Sequence, residues 1–254
     1  MRNQFQKSRS TGRKLLLLNP EIPVQSFFSG ARSTSFKLAH FNDYIRKPMN
    51  FSRAFKDGDG IYFESINVAI VNAEKDDGMM RIRKALPSRA IIASEPERYV
   101  HKITVNDYLR GYRDGIQAIM EKVKEHGGDF PSTEELLLLQ QQFSDTNQSS
   151  WGILATRIIE SGFTGKGVRI AILDTGVFKE HVDMAGRKIV TKRFVQDASD
   201  DDADGHGSHC AGIACGNADG SGMRYGVAHK SSLYCGKVLD DNGEGTDAGI
   251  LAGI

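Results

Sequence analysis

The apolar positions along the chain change their period at recognisable points. Residues 1–57 hold no sustained period and mix Ser, Arg, Asn and Phe, which predicts an irregular N-terminal arm. From residue 61, "IYFESINVAIV" is rich in strand formers, "DDGMMRIRKAL" has helical character, and "AIIASE" and "RYVHKI" predict two short strands. These segments outline a small α+β module over 58–105. Over 106–150 the pattern turns helical. Tyr108, Leu109, Tyr112, Ile116, Ile119, Met120 and Val123 share one stripe that stops at Gly127 and Gly128, and Ser132 and Glu135 stand at capping-box spacing before a second apolar run. The polar stretch "SDTNQSS" then reads as a linker.

From 151 to 254 the elements alternate. Trp151, Leu154, Ala155, Ile158 and Ile159 predict an amphipathic helix ended by Gly162. Val168 to Leu173 is apolar apart from Arg169, as in a strand buried on both faces of a parallel sheet. "SLYCGKVL" predicts a second such strand, and "TDAGILAGI" opens a helix. Helices between buried strands predict an α/β layered fold, a parallel sheet flanked by helices.

Composition sharpens the division. Of 27 glycines, 18 lie from Trp151 onward and 9 before it, so the two parts are built differently. With 33 basic and 32 acidic residues the net charge is +1, which gives no reason to expect a nucleic-acid partner. The apolar run Leu15 to Leu18 is far shorter than a secretory or membrane segment requires, so neither a signal peptide nor a membrane anchor is read, and a cytoplasmic location is the default expectation. Cys210, Cys215 and Cys235 are odd in number and confined to the C-terminal part, which predicts reduced thiols.

Asp174 directly follows the first buried strand, where ligands and catalytic groups gather in open α/β sheets. The competing reading is a turn aspartate bonded to its own backbone. His206 lies 32 residues later, at the head of "HGSHCAGIACG", whose small residues suit a helix packed closely on a sheet. A carboxylate can fix one imidazole nitrogen while the other takes a proton from a serine, so Asp174 and His206 supply two thirds of a triad.

At this point "VRIAILDTGVFKEHVDM", "DGHGSHCAGIACG" and "YGVAHKSSLYCGKVLDDNGEG" resemble the aspartate, histidine and substrate-strand blocks of subtilisin-like serine proteases, in the order of that family. The cysteine four residues after the histidine is similar to proteinase-K-like members. The resemblance covers residues 151–254 as a partial peptidase domain. It implies a serine-type endopeptidase acting on peptide or protein substrates, with Asp174 the orienting acid and His206 the general acid/base. It further implies that Gly243, Glu244 and Gly245 pair their backbone with an extended substrate, where Glu244 and Asp247 would favour basic side chains. Residues 58–105 resemble the family's propeptide, a small α+β domain that caps the active site, although no cleavage junction stands out.

The resemblance requires no cofactor for catalysis. It places a structural calcium at Asp183, Asn217 and Asp219, although the loop departs from the usual residues. An EF-hand laid on "DDDADG" fails, because its twelfth position is Ala211 where a bidentate glutamate is needed. Zinc on His206, His209, Cys210 and Cys215 lacks paired ligand spacing, and adjacent His209 and Cys210 diverge by about 100° on a helix.

The family's serine block is not among the 48 residues after His206. Ser208, Ser221, Ser231 and Ser232 do not sit in such a block. Loss of a triad serine costs about 10⁶ in rate, so the expectation is the N-terminal piece of an endopeptidase, inactive as written. The alternative is a non-catalytic product that binds peptides or a protease through the propeptide-like module, as an inhibitor.

Overall fold

The computed structural model describes residues 10–33, 36–44, 55, 58–73, 78–102, 113–115, 117, 121, 144–196, 199–218 and 221–254. The two helices expected over 106–143 lie almost wholly outside these residues.

The first sheet starts where an irregular arm was expected. Strand β1 (Ser10–Leu18) lies between β4 (Val68–Asn72) and β5 (Ile91–His101), antiparallel to both. β2 (Leu38–His40) runs parallel to β3 (Gly60–Phe63), which pairs antiparallel with β4. The arm reading therefore fails for residues 10–18. Leu16 and Leu18 are fully buried and Leu17 is 42% exposed, but this alternation is carried by too few apolar residues to stand out. The partners that bury it come from later in the chain.

The stretch "IYFESINVAIV" is a hairpin rather than one strand. β3 and β4 are joined by a 3-10 turn over Glu64–Ile66 and by Asn67 at φ 52°, whose side chain accepts a hydrogen bond from the Tyr62 hydroxyl at 3.0 Å. The two short strands expected after it are one, β5. Pro96 sits inside β5 opposite Lys14, where the register with β1 shifts, so the missing N–H falls at an irregularity and the strand continues.

One face of this sheet is covered by α1 (Val24–Ser33) and α2 (Gly78–Ala85), with Phe27, Tyr62, Val71 and Ile82 in a common core. The other face is not a free surface. Ile61, Phe63 and Ile70 pack with Phe194, Val238, Leu239, Ala248 and Ala252 from the C-terminal part.

The C-terminal part is built on a parallel three-stranded sheet in the order β6-β8-β7, with β6 (Arg169–Asp174), β7 (Ile189–Arg193) and β8 (Ser232–Lys237). The helix expected from Trp151 is shorter than its pattern. α3 (Trp151–Ala155) gives way at Arg157, φ 56°, to a 3-10 turn ending at Gly162. α4 (His206–Cys215) buries Ala211 and Cys215 against Val177, Leu233 and Cys235. β6 differs from expectation. It stands at the sheet edge, with Val168 51% exposed beside it and only Asp174 buried along it, because among the described residues β8 is its single neighbour. β9 (Glu244–Thr246) leads into α5 (Asp247–Gly253), whose cap is Thr246, its hydroxyl accepting from the Gly249 amide at 3.3 Å. β9 closes the edge of the first sheet by pairing with β5, which joins the two parts of the molecule. Among the described residues, no helix is long and apolar enough to cross a membrane.

Candidate active site

Parallel strands β6 and β8 set Asp174 opposite Lys237 at their carboxyl ends. Asp174 is 8% exposed, and its Oδ1 accepts the Thr175 amide and faces His206 Nδ1, each at 2.7 Å. His206 occupies the first turn of α4 with a side chain 36% exposed. One ring nitrogen is thus bound to a buried carboxylate, and the ring remains accessible. This is the arrangement that fixes a tautomer with the proton on Nδ1 and leaves Nε2 to exchange protons.

Three groups hold the pair in place that the sequence pattern did not single out. Gly207 donates its amide to the Thr175 hydroxyl at 2.9 Å, and that hydroxyl donates to Asp202 Oδ1 at 2.8 Å. Asp202 also takes the amides of Gly205 and Ser208, at 2.8 and 2.7 Å. A carboxylate at these open N–H groups caps α4 and complements its dipole. Burial opposes the charge on Asp202, but hydrogen bonds from Ser208, Gly205 and Thr175 outweigh it and hold the carboxyl below the usual range. The third group is Lys237, 1% exposed, whose ammonium donates to the Thr175 carbonyl at 2.5 Å, to the Asp201 carbonyl at 3.2 Å and to Asp241 at 2.6 Å. It ties the loop after β6 to the loop before α4. Close approach also needs Gly207 itself, since a Cβ there would lie 2.2 Å from the Gly176 carbonyl oxygen.

Cys210 comes from the next turn of α4, its sulfur 3.8 Å from His206 Nδ1. Asp174, His206 and Cys210 therefore converge, while His209 turns away to line a cavity of about 300 Å³ with Phe178 and Tyr225. Burial and the charge of Asp174 push the Cys210 thiol up, so it stays protonated. A protonated thiol on the Nδ1 side is neither the nucleophile that His206 serves nor a ready metal ligand. Ser208 is engaged elsewhere, its hydroxyl oxygen accepting the Phe178 amide at 2.8 Å. All three cysteines are free thiols.

Two of the three residues expected to hold calcium are engaged by protein groups. Asp183 accepts from the Tyr225 hydroxyl at 2.6 Å, Asn217 Oδ1 accepts from the Arg187 guanidinium at 3.1 Å, and Asp219 lies outside the described residues. A guanidinium at Asn217 takes the oxygen a cation would use.

Gly243, Glu244 and Gly245 lie on the edge that β5 covers. Tyr99 pairs with Thr246, Val100 with Gly245 and His101 with Glu244, and the Lys102 amide donates to the Gly243 carbonyl at 2.8 Å. The two acidic residues expected to favour basic side chains meet β5 differently. Glu244 lies 3.6 Å from His101, whereas Asp247 accepts the backbone amide of Arg98 at 2.9 Å. Glu97, fully buried, bridges the two parts. It accepts from Thr11 at 2.5 Å, pairs with Arg13, and takes the Ala248 amide at the start of α5 at 3.2 Å.

Residues 165–254 match the subtilase family. Over this stretch the chain is similar to the subtilases. Subtilases are serine-type peptidases, and the Asp174–His206 pair lies within the matched residues. Similar curated proteins include Proteinase T of Parengyodontium album, 39% identical over 41% of this chain and 36% of its own length. Subtilisin-like protease 3 of Pseudogymnoascus destructans is 34% identical over 61% of this chain and 32% of its own. Subtilisin-like protease 6 of Trichophyton schoenleinii is 31% identical over 61% and 40%. The latter two alignments cover more of the chain than residues 151–254 contain, so the likeness to subtilases reaches upstream of Trp151. The chain spans about a third of the length of these relatives.

Proposed function

We propose that this chain supplies the acid and the histidine of an Asp-His-Ser triad in a subtilisin-like endopeptidase. The observation that carries the reading is the 2.7 Å contact between buried Asp174 and Nδ1 of a half-exposed His206. In the reaction, Nε2 of His206 removes the serine proton as the hydroxyl attacks a peptide carbonyl, then delivers it to the departing amine. Asp174 keeps the imidazole in register and stabilises its cationic form. The serine is contributed by sequence outside these 254 residues, and without it the chain alone does not hydrolyse peptides.

Gly243 to Gly245 form the edge on which an extended substrate lies, a role supported by their pairing with β5. Residues 58–105, extended by β1, act as a propeptide-like cap that occupies this edge before a substrate does. The test is a fluorophosphonate probe on the full-length protein. Labelling that disappears in His206→Ala supports the triad. A soluble, folded product that never labels, yet inhibits a subtilase, supports the inhibitor-like reading instead.

A further inference from the structure

The cavity that His209 lines takes no part in the chemistry of the Asp174–His206 pair. It holds about 300 Å³ between the loop after β6 and α4, with Phe178, Met184, Ile213 and Tyr225 as its apolar walls. Neither the catalytic pair nor the Gly243–Gly245 edge lines it. Apolar surface continues past its mouth, since Phe178 is 48% exposed, Ile213 50%, and Val182, beside His181, 75%. An apolar pocket inside an apolar rim is the form that receives an anchoring side chain of a larger partner, whose neighbouring residues then cover the rim.

Charge and hydrogen bonding narrow the occupant. Two carboxylates stand directly behind the lining: Tyr225 donates its hydroxyl to Asp183 at 2.6 Å, and Ser208 donates its amide to Asp202 at 2.7 Å. Among the described residues no lysine or arginine lines the cavity, so an anion would meet like charge without a counterion. The imidazoles set the polar requirement. Asp183 donates its amide to His181 Nδ1 at 3.2 Å, which leaves the ring proton on Nε2 as a donor. The His209 ring has no hydrogen-bond partner among the described residues. The occupant therefore combines an apolar ring with a neutral acceptor. A phenylalanine or tyrosine inside a polypeptide carries both, in its ring and its own peptide carbonyl.

We propose that this cavity is an exosite that anchors an aromatic residue of a polypeptide substrate away from the bond being cut, its ring among Phe178, Met184, Ile213 and Tyr225 and its main-chain carbonyl on the His181 imidazole. The exosite role rests on the endopeptidase reading, whereas binding of the aromatic residue does not. Substrates long enough to reach the cavity gain affinity from it, and short peptides do not.

The test uses the full-length enzyme with carbon-13 in its methionine methyl groups. N-acetylphenylalanine amide should shift the Met184 methyl resonance, identified through Met184→Leu, and bind roughly tenfold or more tightly than N-acetylglycine amide, which lacks the ring. The carboxylate 3-phenylpropanoate should bind roughly fivefold more weakly than the phenylalanine amide. No shift, or equal binding by either comparison compound, overturns the proposal. In kinetics, Ile213→Glu places a charge at the mouth and should raise KM for an unfolded protein roughly fivefold relative to KM for a short all-alanine peptide. Val190→Glu, the same charge on β7 away from the cavity, should leave that ratio as it was. Equal rises for both substrates, no change, or the same response to both variants overturns the exosite. An enzyme that neither labels with fluorophosphonate nor cleaves overturns the endopeptidase reading and the exosite role with it, while the Met184 signal still decides whether the cavity binds the aromatic residue.

Discussion

Lys237 holds its ammonium 2.5 Å from the carbonyl oxygen of Thr175, the residue next to Asp174, and 3.2 Å from that of Asp201 in the loop leading to His206. A buried cation between two carbonyls makes the positions of the acid and the histidine depend on each other. In Lys237→Met the stem volume is kept but both carbonyls and Asp241 lose their donor. Unsatisfied buried acceptors cost about 1–3 kcal/mol each, so the folded chain should lose about 2–4 kcal/mol. The urea midpoint of the 254-residue chain reads this. An unchanged midpoint would mean that the ammonium is dispensable.

Asp174→Asn keeps an acceptor for the Thr175 amide but presents an amide to Nδ1, which allows the wrong imidazole tautomer. In the full-length enzyme kcat should fall by roughly 10⁴-fold with KM little altered. A fall below tenfold would remove Asp174 from the triad.

Glu97 joins β1 and β5 to the N-terminus of α5. Replacing it with alanine strips the Ala248 amide of its acceptor and leaves Arg13 without its buried partner, at a cost of about 2–3 kcal/mol. Hydrogen exchange should accelerate along residues 91–102 and at the first turn of α5, with β6 and β8 unaffected. Uniform acceleration across both sheets would instead indicate a global loss.

Asp202 has a carboxyl held below the usual range, so the native state binds its proton less tightly than the unfolded chain does. Its contribution is complete above the unfolded pKa, about 3.9, and is lost as pH falls through the lower folded value. Unfolding free energy measured from pH 6 downward should therefore decline at and below about pH 4, and Asp202→Asn should flatten that part of the curve. A parallel decline in both proteins would place the acid sensitivity elsewhere.

The three thiols should be slow to react in the native state. Burial and Asp174 push Cys210 up, burial pushes Cys215 up, and Cys235 is pushed up to about 12. Iodoacetamide at neutral pH should modify them far more slowly than an exposed thiol, and urea should release all three. Rapid native alkylation of Cys210 would show that its thiolate is populated.

Asp174 and His206 were legible as a candidate pair because each is embedded in a local signature: a strand end followed by Thr-Gly, and a small-residue helix start. The elements of the first sheet were legible in part. β3, β4 and α2 followed their periodicity, but the Glu64–Ile66 turn contains no glycine or proline to mark it, and β5 runs on through Pro96, which stands between the two runs read as separate strands. β1 was missed because its burial is decided by strands remote in sequence. Asp202 and Asp204 were considered only as ligands of a calcium loop, since three alternating aspartates say nothing of whether amides, an ammonium or a metal will face them.

The sequence by itself determined which residues are the candidates for the chemistry, because the residue types around Asp174 and His206 suit few other purposes and their spacing is local. Only the tertiary structure decided what those residues meet: the 2.7 Å pairing across 32 residues, the buried Lys237 beneath it, and β5 on the edge at Gly243–Thr246 with Lys102 against Asp204. The reason is physical. Propensity and periodicity act within one turn or one strand, whereas hydrogen bonds and ion pairs between remote segments exist only once the sheets have brought them within reach.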